Sequence, residues 1–142
     1  MALIPNLSAI PDLKLAEGGR EYDLRITTAK AIDSKKTGRE GVLLVCSFVD
    51  EENVQNMMHQ IWFGNTEKYT DDDEEKSTDM WRRVKEFVRA LGFNPDQDLE
   101  VEDFKNLEFT AIIDVNDGTE TDEEGNVKQA YNPKNEITRI VG

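Results

Sequence analysis

The sequence predicts a mainly β domain with a single α-helix, in the order β-β-β-α-β-β. Three observations carry that prediction. Tyr22, Leu24 and Ile26 alternate with Asp23, Arg25 and Thr27, the two-residue period of a half-buried strand. Met80, Val84, Phe87, Val88 and Leu91 fall at i, i+4, i+7, i+8 and i+11, one apolar face of a helix. The chain has 142 residues, no internal repeat and no dividing linker, and single domains commonly run to roughly 100–150 residues. An irregular arm over 1–19 and one domain over 20–142 are expected.

The elements follow in order. Pro5, Pro11 and Gly18-Gly19 break up the first nineteen residues, so they read as an arm that tucks its scattered Leu and Ile onto the body. The first strand is the alternating stretch from Tyr22. A polar turn, Asp33-Ser34-Lys35-Lys36-Thr37-Gly38-Arg39, separates it from Val42–Val49, which is β-branched and too short to favour a helix. Asp50-Glu51-Glu52-Asn53 ends that strand, and a third runs from about Met57 to Phe63. The helix follows, with Ser77 or Thr78 as candidate caps, Asp79 near its positive end and Gly92 as its stop. Arg82, Arg83, Lys85 and Arg89 occupy its other face. Residues 99–106 suggest a short second helix, Phe109–Val115 a fourth strand, and 116–126 an acidic hairpin loop. Val127–Val141 is the fifth strand, interrupted or begun at Pro133, which has no N–H for a ladder. This order is the one found in the OB-fold, a five-stranded, partly open Greek-key barrel that binds oligonucleotides and oligosaccharides. An OB-like barrel is therefore the expected architecture.

Charge narrows the function classes. Thirty acids against seventeen bases give a net charge of -13, which at first argues against a phosphate-rich partner. The excess is local. Residues 50–79 carry -8 and residues 117–124 carry -5, whereas 1–49 and 125–142 are +1 and +2. Both acidic runs read as solvated loops. The single cysteine, Cys46, excludes an internal disulfide and suits a reducing compartment. With one histidine beside it, the common zinc arrangements are excluded too. The acids lack the spaced ligands of an EF-hand, and there is no Gly-rich phosphate loop or G-x-S-x-G elbow. No enzyme activity, cofactor or metal is expected. No apolar run approaches the ~18 residues of a membrane span, and no basic leader opens the chain, so no membrane association is expected.

Four stretches carry a family resemblance. They are Tyr22–Ile26 with Ser34–Arg39, Trp81–Phe87 with its Leu91-Gly92-Phe93 exit, Asp98–Phe104, and Tyr131-Asn132-Pro133-Lys134-Asn135-Glu136-Ile137. Across roughly residues 20–140 the chain resembles the small single-stranded-DNA-binding proteins of bacteriophage replication modules. The resemblance implies sequence-independent coating of single strands during phage replication or recombination, in the cytoplasm of the infected host. Phage replication or recombination proteins are the implied partners. The chain ends Thr138-Arg139-Ile140-Val141-Gly142, not in the acidic tail by which many cellular single-strand binders recruit theirs.

Such binding needs cations that track phosphates and aromatic faces on which bases stack. The basic candidates are Arg25, Lys30, Lys35, Lys36 and Arg39 on the first strand and its following turn, which in an OB-fold flanks the binding face. Lys128, Lys134 and Arg139 on the last strand are the second group. Among aromatics, Tyr22 alternates with core residues, Phe87 lies on the helix's apolar face, and Trp81 reads as core or helix anchor. Trp62 shares a strand face with Gln60 and Met58. If Ile61 and Phe63 point inward, Trp62 is exposed for stacking; if not, His59 and Phe63 are the exposed pair. Tyr131, beside Asn132 and Lys134, is the other stacking candidate. His59 reads as a polar strand residue, not a ligand. The rival expectation is an acidic interaction domain or DNA mimic, using Asp71–Glu75 and Asp117–Glu124 as surrogate phosphates against a host enzyme.

Overall fold

The structure, a computed structural model, describes residues 3–66, 69–70 and 73–141. Its strands are β1 (Arg20–Asp33), β2 (Glu40–Phe48), β3 (Met57–Trp62), β4 (Glu108–Asn116), β5 (Thr119–Thr121), β6 (Val127–Gln129) and β7 (Lys134–Ile140). One α-helix, α1 (Glu74–Ala90), lies between β3 and β4 and is followed by a 3₁₀ helix, Val101–Phe104. The mainly β, one-helix class is as the sequence predicts. Five strands form an antiparallel sheet in the order β3-β2-β1-β4-β7, and β5-β6 is a separate two-stranded hairpin. The sheet is not closed into the OB-like barrel expected from the sequence. Edge strands β3 and β7 come within 8 Å, Cα to Cα, but no ladder joins them among the described residues.

β1 organises the sheet because it is long enough to serve two partners. Arg20–Arg25 pairs with β4, and Leu24–Asp33 pairs with β2. The two stretches overlap at Leu24 and Arg25, and a bulge between Ile26 and Thr28 interrupts the β2 ladder just past that overlap. The extra residue shifts the alternation, so the buried positions run Tyr22, Leu24, Ile26 and then Ala29. Leu24, Ile26, Leu44, Cys46 and Ile113 are fully buried at the centre of the core. Tyr22 packs edge-on to Phe48 at 5.2 Å and donates its hydroxyl to the Glu17 carbonyl at 3.0 Å, so it is core, as the alternation implies.

The helix begins ahead of the expected caps. Asp73 is the N-cap, its carboxylate accepting from the Lys76 N–H at 3.1 Å. Ser77 instead lies buried inside the first turns, where its Oγ accepts from the Asn65 N–H at 2.7 Å. At the other end Gly92, with φ +93, ends the helix in a Schellman pattern: Phe93 N–H donates to Val88 O and Gly92 N–H to Arg89 O, both at 3.0 Å. Phe93 then meets Phe104 of the 3₁₀ helix, ring centroids 5.5 Å apart. That 3₁₀ turn is all that forms of the second helix expected over 99–106. None of the described helices is long and apolar enough to cross a membrane.

Two further expectations change. The single fifth strand over Val127–Val141 is split: Val127–Gln129 pairs only with β5, and β7 starts after Pro133. The Gly118 carbonyl accepts from both Ala130 and Tyr131 N–H groups, turning the chain out of the hairpin. The N-terminal arm is fixed at its C-terminal part only. Lys14 N–H donates to Asn53 O at 2.8 Å, Gln55 N–H donates to Lys14 O at 2.9 Å, and the buried Asn135 amide clasps the Ala16 peptide. Leu3, Ile4, Leu7, Ile10 and Leu13 are exposed, not tucked onto the body.

Candidate functional site

Register decides which face of β3 is free. Val42, Leu44 and Cys46, all buried, lie opposite Ile61, His59 and Met57, so those three look inward. Trp62, Gln60 and Met58 therefore share the outer face, opposite Gly41, Leu43 and Val45. This is the first of the two arrangements considered from sequence. β1 extends the same face with Arg25 opposite Ser47, Thr28 opposite Val45 and Lys30 opposite Leu43. Met58 is 66% exposed. The half-buried Trp62 indole lies over Gly41, where a Cβ would come within 2.9 Å of its Cε3, so the glycine permits this packing. Trp62 has no aromatic partner among the described residues. The other rings are occupied: Trp81 stacks on Phe63 at 5.3 Å and donates Nε1–H to the Asn65 carbonyl, and His59 stacks on Phe87 at 5.4 Å. Burial pushes the His59 pKa below its ordinary value.

Trp62 sits at the junction of two depressions. One, about 320 Å³, lies between Trp62 and the β1–β2 turn and is lined by Ser34, Thr37, Arg39, Lys76 and Met80. The other, about 290 Å³, lies on the helix side against Gln60, Met80, Arg83 and Phe87. They share Trp62 and Met80, so one shallow groove runs from the turn across the indole to α1. Lys76, Met80 and Arg83 occupy i, i+4 and i+7 of the helix, which aligns them on one side. Sequence reasoning missed Lys76, put Met80 on the apolar face of the helix and put Arg83 on its other face. The spacing was visible, but which side of α1 meets β3 was not.

The predicted basic residues divide. Lys35 and Lys36 are exposed in a turn held by Ser34, whose Oγ accepts from the Lys36 and Thr37 N–H groups and whose carbonyl accepts from Gly38 N–H. Among the described residues, Lys30, Lys35, Lys36, Lys76 and Arg83 form no ion pair. Arg25 is bound to the Glu108 carboxylate through both Nε, at 3.0 Å, and Nη2. Arg39 departs furthest from the expected solvated turn. It is 7% exposed, donates Nη1–H to the Phe63 carbonyl at 2.6 Å, and lies over the Tyr69 ring at 4.3 Å. It braces the groove from beneath.

The second predicted group lies elsewhere. Lys128 is on the exposed β5-β6 hairpin opposite Glu120, and Arg139 is exposed on β7 opposite Ile112. Lys134 Nζ lies 5.0 Å from the centre of the Tyr131 ring, which is 40% exposed. None of the four lines either depression beside Trp62.

The acidic runs have local structural roles. Asp71 and Asp72 lie outside the described residues. Asp73 caps α1, and Glu74 and Glu75 occupy its first turn, where the helix dipole favours anions. Asp122 Oδ1 accepts from the Glu124 and Asn126 N–H groups. Asp117 accepts from the Thr119 backbone and hydroxyl, which holds its carboxyl below the ordinary range. No protein-family model matches the chain, and no curated protein matches its sequence.

Proposed function

We propose that the protein binds single-stranded DNA with little sequence preference, coating strands during phage DNA replication or recombination, and that the groove at Trp62 is where the strand lies. The observation that carries this reading is an indole on the outer sheet face with no aromatic partner among the described residues. Lys76 and Arg83 line the depressions beside it, Lys30 lies on the same sheet face, and Lys35 and Lys36 belong to the turn whose Ser34 and Thr37 close one end; none of the five forms an ion pair among those residues. Bases stack on such a ring without regard to identity, while the cations follow the phosphates. Met58 and Leu43 widen the apolar floor on the same face.

The strand order supports an OB-like reading of the fold. β1 stands between β2 and β4, and β3 and β7 run in the same direction as neighbouring edges with no ladder between them among the described residues. This arrangement favours reading the sheet as a Greek-key barrel left open at the seam between its third and last strands. The turn after β1 and the β5-β6 hairpin then correspond to the two loops that flank an OB binding face. The second basic group, Lys128, Tyr131, Lys134 and Arg139, marks the exit of the strand past that hairpin. Mimicry of DNA by the acids draws less support, since Asp73, Asp117 and Asp122 engage their carboxylates in caps and turns.

Fluorescence tests the assignment. In a Trp81→Phe background, oligo-dT quenches the remaining Trp62 emission. Trp62→Ala weakens binding by the contribution of one stacked base, about 1–3 kcal/mol or roughly 5- to 150-fold. Unchanged affinity in Trp62→Ala, with no quenching of Trp62, removes the groove from the reading.

A further inference from the structure

The two depressions that meet at Trp62 differ in chemistry. On the helix side Ile61, Met80 and Phe87 make the lining largely apolar. Toward the β1–β2 turn, two hydroxyls, Ser34 and Thr37, share the lining with two cations, Arg39 and Lys76, and the indole and Met80 complete it. No carboxylate lines this second depression among the described residues, although residues 50–79 carry a net charge of -8. Its volume of about 320 Å³ is at the lower end of small-ligand sites, roughly 300–1,000 Å³. That is the scale of one nucleotide unit, not of a longer ligand.

The turn commits its hydroxyl oxygens and leaves their hydrogens. A hydroxyl has one hydrogen to donate and two lone pairs. Ser34 Oγ accepts from the Lys36 and Thr37 N–H groups, both at 3.3 Å, so its remaining capacity is to donate. Thr37 Oγ1 accepts from the Arg39 N–H at 3.2 Å. Neither hydroxyl donates to an acceptor among the described residues. The backbone closes around them, with Ser34 N–H donating to Arg39 O at 2.8 Å and Gly38 N–H to Ser34 O at 2.7 Å. Lys76 forms no ion pair among the described residues. Its acidic neighbours on α1 border the next depression instead: Asp73 accepts from the Lys76 N–H as the helix cap, and Asp79 pairs with Arg82 at 2.9 Å.

Donors that converge without acceptors of their own suit an anion with several oxygens, and the adjoining indole suits a base. We propose that this depression is a phosphate subsite: the Ser34 and Thr37 hydroxyls and the Lys76 ammonium hold the phosphate of the nucleotide whose base stacks on Trp62. The inference rests on the groove reading above and narrows it. Lys35 and Lys36 do not line the depression; they meet other phosphates along the strand. A single nucleotide is then enough to occupy the subsite and the indole together.

The test reads Trp62 emission in the Trp81→Phe protein and the ligand concentration that quenches half of it. One of the two thymidine monophosphates, 5′ or 3′, is expected to reach half-quenching at roughly 10-fold lower concentration than thymidine, the effect of one hydrogen bond to a charged group. Ser34→Asp keeps an acceptor for the Lys36 and Thr37 N–H groups, so the turn is retained, but puts a negative charge where the donor was. It should erase the advantage of the phosphate, Lys76→Gln should reduce it, and Lys35→Gln with Lys36→Gln should keep most of it. Equal half-quenching by thymidine and both monophosphates overturns the subsite. So does an advantage that Ser34→Asp leaves intact, or one that the Lys35 and Lys36 substitutions erase. Ser34→Asp should also weaken oligo-dT; a loss confined to the monophosphates takes the depression off the path of the strand and overturns the proposal. Quenching by oligo-dT without a monophosphate advantage sinks the subsite alone, and no quenching by either sinks the groove with it.

Discussion

Asn135 is the point at which a single side chain holds two distant parts of this fold together. It is 3% exposed, and its amide reads the Ala16 peptide from both sides: Oδ1 accepts from the Ala16 N–H and Nδ2 donates to the Ala16 carbonyl, each at 2.9 Å. The two residues are 119 positions apart. Asn135→Ala removes both partners and leaves a buried donor and a buried acceptor. Each unsatisfied group costs about 1–3 kcal/mol, so the gross penalty is about 2–6 kcal/mol. Part is relieved if water reaches Ala16, although the neighbouring bonds at Lys14 limit how far the arm opens. A net loss of about 2–4 kcal/mol is expected. For a chain near this size each kcal/mol lowers Tm by about 2–4 °C, so a fall on the order of 10 °C follows. Urea unfolding gives the global part, and hydrogen exchange at the Ala16 amide gives the local part. If the arm peels away on its own, the midpoint falls less but Ala16 protection is lost. A variant with both the native midpoint and native Ala16 protection refutes the argument.

Three further predictions come from the core and its rim. Burial holds the His59 pKa below its ordinary value, so as pH falls below about 6.5 the unfolded chain gains a proton there before the folded chain does. Stability conferred by neutral His59 is thus present above that pH and lost below it, down to the folded pKa. His59→Phe should flatten the fall of the urea midpoint between about pH 7 and 5, and parallel curves for the two proteins would falsify it. Burial pushes the Cys46 thiol up to about 12; a thiol reagent at neutral pH should label it only as fast as the chain opens, and rapid labelling of the native protein contradicts its placement. Gly64→Ala would drive a methyl into the Trp81 indole and the Ser77 carbonyl, an overpacking cost of about 1–3 kcal/mol. It should appear as a lower midpoint with a change in tryptophan emission as Trp81 shifts on Phe63, and an unchanged midpoint and spectrum would count against that packing.

Much of the fold was legible because it rests on periods that survive in sequence. The Tyr22–Ile26 alternation, the Val42–Val49 run and the Met80–Leu91 stripe each mark an element that forms. The bulge at Thr27 was not legible: nothing local distinguishes it, and it falls just past Leu24 and Arg25, which pair with β2 and β4 at once. Asp73 replaced Ser77 as the cap because a carboxylate within the acidic run was available one turn earlier and Ser77 was needed by Asn65. The last strand broke at Pro133, as its missing N–H foretold, but pairing of its first piece with β5 depended on the Gly118 turn. Within the candidate site, strand alternation grouped Trp62 with Gln60 and Met58, but which of the two faces is outward required the register of β3 on β2. Burial of Arg39 was not legible, because its partners Phe63 and Tyr69 lie 24 and 30 residues away. Lys76 and Arg83 required the docking of the helix, which a helical period fixes only to a face.

On the proposed reading, the concentration of the -13 charge in 50–79 and 117–124 leaves the uncharged and basic outer face of β1, β2 and β3 to carry DNA binding. That claim is tested most directly by the anisotropy of labelled oligo-dT, with a matched duplex as control, as salt is raised from about 50 to 200 mM. Preference for the single strand is expected, with affinity falling as salt rises. Lys35→Gln with Lys36→Gln should weaken binding and reduce the slope of log affinity against log salt by about 1.4, roughly 0.7 for each phosphate no longer neutralised. No binding to oligo-dT at the lowest salt, or a slope that the two substitutions leave unchanged, would contradict it.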